Sequence, residues 1–237
     1  MAKMVGLNLV VKQGWIKKSV AILNENLSEE EYRKELDDHL AFEIDSPTNR
    51  RKAREILMRV WYQDTKGVEK LQQEGRELVK KYPEYLSAIS WCMIPLAYPI
   101  FEDYAKLMGK MFEFQDVVTT GQIKQKMFDQ IGERNLIDFA TTKIISTMRE
   151  LNAVISIQTG KHEAVAIHIS NTEITNFLIK VAMFLDGKSY YVFSTLTDIP
   201  FLFPYKFQVT KDQLIKDDCF ILSTFDSTFC VALKLPN

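Results

Sequence analysis

The feature that most constrains the fold is a change of hydrophobic period between residues 117 and 169. Thr119 followed by Gln122 is a capping-box pattern, which predicts a short helix that Gly132 ends. A second helix is predicted from about Asn135 to Asn152, because apolar residues recur there at steps of three and four. That apolar stripe consists of Ile137, Ala140, Ile144, Met148 and Leu151.

A pattern typical of β-strands follows the second helix. Residues 154–158 are rich in branched side chains, residues 159–162 turn the chain, and large residues alternate with others from 164 to 169. The predicted order is therefore helix, turn, helix and hairpin, which is the layout of a winged helix-turn-helix. In that motif the second helix enters the major groove of DNA. The same layout also serves as a structural or protein-contact module, so both interpretations stay open.

The chain before residue 116 is predicted to be helical. Ser28 with Glu31 forms another capping box, and Ser46-Pro47 is a strong helix start. Residues 86–101 are the most apolar stretch, but they are too few for a membrane span and include prolines. We therefore predict a buried helix there, broken near Pro95.

The chain after residue 171 is predicted to combine one more helix with a β-rich tail. Gly187 ends the helix, and residues 220–224 and 228–235 are predicted to pair through a turn at 225–227. The predicted fold class is mainly α, with an N-terminal helical bundle, a winged helix-turn-helix and a small C-terminal α+β segment. The predicted boundaries are a helical domain at 1–115, the winged helix-turn-helix at 116–170 and the α+β segment at 171–237.

Charge and cysteine content limit the possible partners and compartment. The 237 residues carry a formal net charge of -1, so any patch that binds nucleic acid must be local. The cysteines at positions 92, 219 and 230 lack metal-ligand spacing, which favours free thiols in a reducing cytoplasm. Neither a secretory signal nor a membrane span is predicted, so a cytoplasmic location is expected.

The search for catalytic motifs favours a protein that is not an enzyme and uses no metal or cofactor. The histidines are His39, His162 and His168, and neither His162 nor His168 has a convincing set of Cys or carboxylate partners at metal-ligand spacing. A surface or hydrogen-bonded histidine is therefore expected at both positions. The sequence contains neither a glycine-rich phosphate loop nor a nucleophile elbow. A divergent nuclease is a third hypothesis, which would require acidic residues of the tail to converge with a lysine. The candidates for that role are Asp217, Asp218, Asp226 and Lys234.

A basic cluster follows Ser46-Pro47 at the start of a predicted helix, and it consists of Arg50, Arg51, Lys52 and Arg54. Positive charge there opposes the helix dipole, so helix stability does not explain the cluster. Several arginines at a helix N-terminus suit a phosphate group. The alternative is a solvated surface paired with Asp45 and Glu55.

A second candidate DNA-binding region lies in the winged segment, where basic residues slightly outnumber acidic ones. The expected phosphate contacts are Lys124, Lys126 and Lys161, with Arg134 among the basic residues of the same segment. The expected base-edge contacts lie on the second helix and are Asn135, Thr142, Lys143 and Ser146. A solvated helix surface is again the alternative.

Two short motifs are similar to those of a known family. Ser46-Pro47-Thr48 followed by Arg50, Arg51, Ala53 and Arg54 resembles a region of the BrxA-like accessory proteins of BREX phage-defence systems. The segment from Gly132-Glu133-Arg134 to Thr147, Met148, Leu151 and Val154 is similar as well. The resemblance covers roughly Gln13 to Ile157, and the β-rich tail departs from it. It implies a small helical DNA-binding component without a catalytic centre.

These observations give one leading hypothesis and one main rival. The leading hypothesis is a non-catalytic accessory protein that binds double-stranded DNA in bacterial phage defence, with other proteins of the defence system as further partners. The rival is a protein-interaction scaffold that uses the winged module for partner contacts. A continuous positive face would favour DNA, whereas an exposed apolar patch on that face would favour a protein partner.

Overall fold

The computed structural model describes residues 7–23, 25, 27–132 and 135–234. Its N-terminal half is helical, as predicted. The helices are α1 (Gln13–Leu23), α2 (Glu29–Ala41), α3 (Pro47–Leu57), α4 (Glu69–Lys81), α5 (Leu86–Ala97) and α6 (Ile100–Phe112). A π-helical turn at Met58–Tyr62 continues α3, and a 3-10 turn at Pro83–Tyr85 precedes α5.

Capping residues set the starts of several helices, and these predictions are confirmed. Ser28 accepts a hydrogen bond from the backbone N–H of Glu31, and the Glu31 side chain accepts one from the Ser28 N–H. Ser46 caps α3, which has Pro47 in its first turn. These local hydrogen bonds satisfy backbone N–H groups that have no partner within the helix.

The predicted break near Pro95 is wrong, because α5 continues through Pro95 to Ala97. The next helix begins at Ile100, after Pro99. Pro95 removes one hydrogen bond close to the helix end, where the loss is smallest. Almost every side chain of α5 is buried, so tertiary packing outweighs that loss.

The middle of the chain contains β1 (Val117–Thr119), α7 (Thr120–Ile131), α8 (Asn135–Glu150), β2 (Val154–Gln158) and β3 (Lys161–Ala164). The Thr119–Gln122 capping box is confirmed at the start of α7. The strands are antiparallel in the order β1–β3–β2, so β3 lies between its neighbours. The whole predicted apolar stripe of α8 is buried. The opposite side of α8 therefore faces outward.

The hairpin differs from the prediction in the position of its second strand. Gly160 has a φ of +71°, so the turn occupies Thr159 and Gly160, and β3 already begins at Lys161. The alternating residues 164–169 were predicted to be the returning strand. Instead, β4 (Ile167–His168) leaves this sheet and pairs in parallel with β6 (Tyr205–Lys206).

The tail combines α9 (Thr172–Asp186), β5 (Tyr191–Val192), 3-10 turns at Phe193–Asp198 and Pro200–Leu202, β6, α10 (Lys211–Ile215), β7 (Phe220–Phe225) and β8 (Thr228–Leu233). The predicted hairpin of β7 and β8 is confirmed. Its turn residues Asp226 and Ser227 both have positive φ, as a tight two-residue turn requires. The chain is therefore mainly helical, with a small sheet region towards its C-terminus.

Buried residues from all three predicted segments belong to the same hydrophobic cluster. Helix α9 packs against α4 and α5, and this contact holds the tail on the helical body. The domain boundaries at residues 115 and 170 stay predictions. Among the described residues, no helix is both long and apolar enough to cross a membrane.

Candidate nucleic-acid interface

Hydrogen bonds on the inner side of α8 anchor the helix to α6 and to the N-terminal segment, so that its opposite side faces outward. The Tyr104 hydroxyl on α6 lies 2.7 Å from the Thr141 hydroxyl oxygen. The backbone N–H of Val11 donates to Oγ1 of Thr147 at 3.0 Å, and that of Gln13 donates to the Glu150 carboxylate at 3.0 Å. These bonds fix the rotation of α8 about its axis.

The outward side of α8 carries a stripe of Phe139, Thr142, Ser146 and Arg149 at steps of three and four residues. Thr142, Ser146 and Arg149 form one wall of a groove of about 490 Å³ between α8 and the β2–β3 hairpin. Ile145 of α8 also lines the groove, together with Thr120 at the start of α7. The hairpin contributes Ser156, Ile157, Gln158, Thr159, Gly160 and His162. Among the described residues, no carboxylate lines this groove.

His162 joins the hairpin to the start of α7. Its Nε2 lies 2.9 Å from the Thr120 hydroxyl oxygen and its Nδ1 lies 3.1 Å from that of Ser156. The ring is only 5% exposed. The sequence pattern predicts that His162 lies in the turn, either at the surface or with its ring hydrogen-bonded. In the structure it lies within β3, and its ring is hydrogen-bonded.

Burial lowers the pKa of His162 below its ordinary value of 6.5, and the positive charge of Arg149 lowers it further. The unfolded chain therefore binds a proton at a higher pH than the folded protein does. Stability is expected to fall as the pH drops below about 6.5, at no more than about 1.4 kcal/mol per pH unit from this one group.

The His162→Gln variant is expected to lose this part of the pH dependence. Urea unfolding of the variant and the unmodified protein at pH 7.5 and pH 5.5 measures this dependence. Between pH 7.5 and pH 5.5, the unfolding free energy of the variant should fall less than that of the unmodified protein. An equal fall in both proteins would show that His162 titrates normally in the folded state.

The predicted phosphate contacts of this region differ in how free their charges are. Lys124 forms an ion pair with Asp138, which joins α7 to α8 and partly neutralises Lys124. Lys126 and Lys161 are exposed, and neither has an ion-pair partner in the described part of the chain. Lys161 lies opposite Thr119 in the sheet, beside the groove.

The predicted base-edge residues of α8 are only partly brought together. Thr142 and Ser146 share the groove, whereas Lys143 is half-buried on the flank of the helix. Asn135 begins α8, but its side chain, like the whole of Arg134, lies outside the described residues. Arg149 is one of the basic residues of this segment but is not among the predicted contacts, although its spacing from Thr142 and Ser146 places it on the same stripe.

The basic cluster of α3 belongs to a different part of the surface. Arg54 forms ion pairs with Asp37 and Glu55, so its charge is compensated. The predicted pairing with Glu55 is therefore present, while Asp37 takes the place expected for Asp45. Arg50 is half-buried, and Arg51 and Lys52 are exposed. None of these α3 residues lines the groove beside α8.

The proposed nuclease cluster does not form. Asp217 lies 3.4 Å from Lys180 and accepts hydrogen bonds from Asn176 and from the backbone of Cys219. Asp226 occupies the tight β7–β8 turn, at the far end of that strand from Phe220. Within the described residues, no group of three or more His, Cys, Asp or Glu side chains could hold a metal ion.

The chain was compared with known protein families, curated proteins and solved structures. No protein-family model, curated protein or solved structure matches the chain.

Proposed function

We propose that this chain is a non-catalytic accessory protein that binds double-stranded DNA through α8 and the β2–β3 hairpin. The observation that carries the proposal is the groove between them, whose polar lining consists of hydroxyl groups, an amide, His162 and Arg149. Ile145 and Ile157 line it as well, and no carboxylate does so among the described residues. Such a lining offers hydrogen bonds and positive charge to a phosphodiester strand without repelling it.

The arrangement of elements supports a winged helix. The order β1, α7, α8, β2 and β3, with β3 central in the sheet, is the order that such a module requires. With 16 residues, α8 is about 24 Å long. The major groove is wide enough to admit an α-helix with its side chains. Its buried stripe packs on α6 and α7, so the polar stripe is the side available to DNA.

Each side chain of the interface then has a definite role. Thr142 and Ser146 contact base edges, because their hydroxyl groups both donate and accept hydrogen bonds. Arg149 at the groove, Lys161 beside the hairpin turn and Lys126 on α7 contact phosphates. The ion pair with Lys124 partly neutralises Asp138, which lies one helical turn before Thr142 on α8.

The wider role in phage defence rests on the resemblance to the BrxA-like accessory proteins. Other proteins of such a system are proposed as further partners. A cytoplasmic location is proposed from the cysteines, which form no disulfide. The proposal of a non-enzymatic role rests on the lack of catalytic motifs in the sequence.

The Arg149→Ala variant is expected to bind duplex DNA more weakly, because one phosphate contact is lost. Fluorescence anisotropy with a labelled 20-base-pair duplex, at several salt concentrations, measures both affinity and salt dependence. The slope of log K against log salt should become less negative by about 1. Lys17→Ala, which removes an exposed charge on α1, serves as the control. Identical slopes for these two variants would remove Arg149 from the interface.

A protein-interaction scaffold is the second candidate, and exposed apolar side chains favour it. Phe139 is 71% exposed on α8, and Ile155 and Ile157 on β2 are about half exposed. Large exposed apolar patches mark contact surfaces between proteins, so these side chains are where a partner would bind. If the same anisotropy titration shows no DNA binding by the unmodified chain, this candidate replaces the first.

A further inference from the structure

A depression on the helical body, away from the α8 groove, is lined by positive and polar side chains. It encloses about 580 Å³. Its lining residues are Asn8, Arg51, Lys52, Glu55, Ile56, Arg59, Gln63 and Tyr98. We propose that this depression binds a phosphate group.

The charges of the depression favour an anion. Arg51, Lys52 and Arg59 contribute positive charge, and no ion pair engages them within the described residues. Glu55 is the acidic residue of the lining, and its carboxylate is already held by Arg33 at 2.5 Å and Arg54 at 3.1 Å. The net charge facing the depression is therefore positive.

Tyr98 fixes the position of Arg59 at the base of the depression. The Arg59 guanidinium lies 5.5 Å from the centroid of the Tyr98 ring, and Tyr98 is only 5% exposed. A planar guanidinium stacked on an aromatic ring is held in place and still presents N–H donors at its edge. Burial raises the pKa of the Tyr98 hydroxyl, and the positive charge of Arg59 beside it lowers this pKa in part.

Helical spacing explains how these side chains come to share one surface. Lys52, Ile56, Arg59 and Gln63 lie at steps of three and four residues along α3 and its continuation. Residues 58–62 of that continuation form the π-helical turn, a geometry that is rare and concentrated at functional sites. Arg59 lies within this turn.

The chemistry of the lining suits phosphate in particular. Guanidinium groups form paired hydrogen bonds with phosphate oxygens, and the Asn8 amide adds a neutral donor. The Gln63 amide nitrogen donates one hydrogen bond to the Glu29 carboxylate at 3.4 Å and keeps its second N–H. The phosphate could belong to a DNA backbone or to a small phosphorylated molecule. The proposal of this phosphate site does not depend on the proposed α8 interface. If the phosphate belongs to a DNA backbone, however, the depression would extend the surface that binds DNA.

Arg51→Ala combined with Lys52→Ala tests the inference, because both side chains are exposed and their loss leaves the core intact. The matched control is Lys66→Ala combined with Lys70→Ala, which removes two exposed charges outside the depression. Two probes are used, namely inorganic pyrophosphate by calorimetry and the 20-base-pair duplex by anisotropy.

Each probe identifies one source of phosphate. At least about tenfold weaker pyrophosphate binding in the Arg51/Lys52 variant, with no such change in the control, supports a site for small phosphorylated ligands. A salt slope for DNA that becomes less negative by about 2 in that variant alone supports backbone contacts. If neither quantity differs from the control, the inference is wrong. If the unmodified chain binds pyrophosphate but not DNA, only the proposed DNA function fails.

Discussion

Replacing Gly109 with alanine is expected to lower the free energy of unfolding by about 3 kcal/mol. Gly109 lies on α6, where the 3-10 turn Pro200–Leu202 packs directly against the helix. A Cβ at this position would overlap the carbonyl oxygen of Pro200 and lie 2.7 Å from its carbonyl carbon. These are backbone atoms, so a side-chain rotation cannot relieve the overlap.

Helix propensity alone predicts the opposite result, since alanine stabilises a helix interior by up to about 1 kcal/mol relative to glycine. Gly14→Ala is the matched control, because no atom lies within 4 Å of a Cβ at Gly14 on α1. Urea unfolding of both variants measures the difference. A Gly109→Ala variant as stable as Gly14→Ala would show that α6 and the Pro200 turn are not in close contact.

Replacing Lys180 with methionine is expected to cost about 3 kcal/mol of stability, as breaking a buried ion pair does. The Lys180 side chain is 7% exposed on α9, and its Nζ lies 2.8 Å from Glu74 on α4 and 3.4 Å from Asp217. Without Lys180, both carboxylates lose their counter-charge. Burial already raises the pKa of Glu74, so this group is poorly solvated.

Lys81→Met provides a control between the same two helices. Lys81 on α4 pairs with Glu173 on α9 at 2.7 Å, but its side chain is 58% exposed. An exposed pair of this kind contributes little to stability, because water and salt screen its charges, so a much smaller loss is expected than for Lys180→Met. Thermal and urea unfolding compare the two variants. Equal losses of stability would show that Lys180 is not buried between α4, α9 and the tail.

Local signals in the sequence were sufficient to predict much of the helical structure. The caps at Ser28, Ser46 and Thr119 depend on hydrogen bonds between residues three apart, so they need no tertiary information. The buried stripe of α8 follows from helical periodicity for the same reason. Pro95 was misjudged because its cost depends on the packing of neighbouring helices.

The candidate sites were harder to predict, because each depends on contacts between distant segments. Thr142 and Ser146 were found from helical spacing, but the opposite wall of the groove required the register of β3. A shift of register changes which strand residues face the groove. On α3, the sequence could not show that Asp37 compensates Arg54 or that Arg59 stacks on Tyr98.

Equilibrium binding of the unmodified chain to the labelled 20-base-pair duplex tests the proposed α8–hairpin interface most directly. Anisotropy is measured at about 50 mM and 200 mM salt, the range over which phosphate contacts lose affinity. Contacts from Lys126, Arg149 and Lys161 predict binding at low salt that weakens by about 40-fold at high salt, at a slope of about -0.9 per phosphate. No binding at 50 mM salt, or binding that salt does not change, would contradict the proposal.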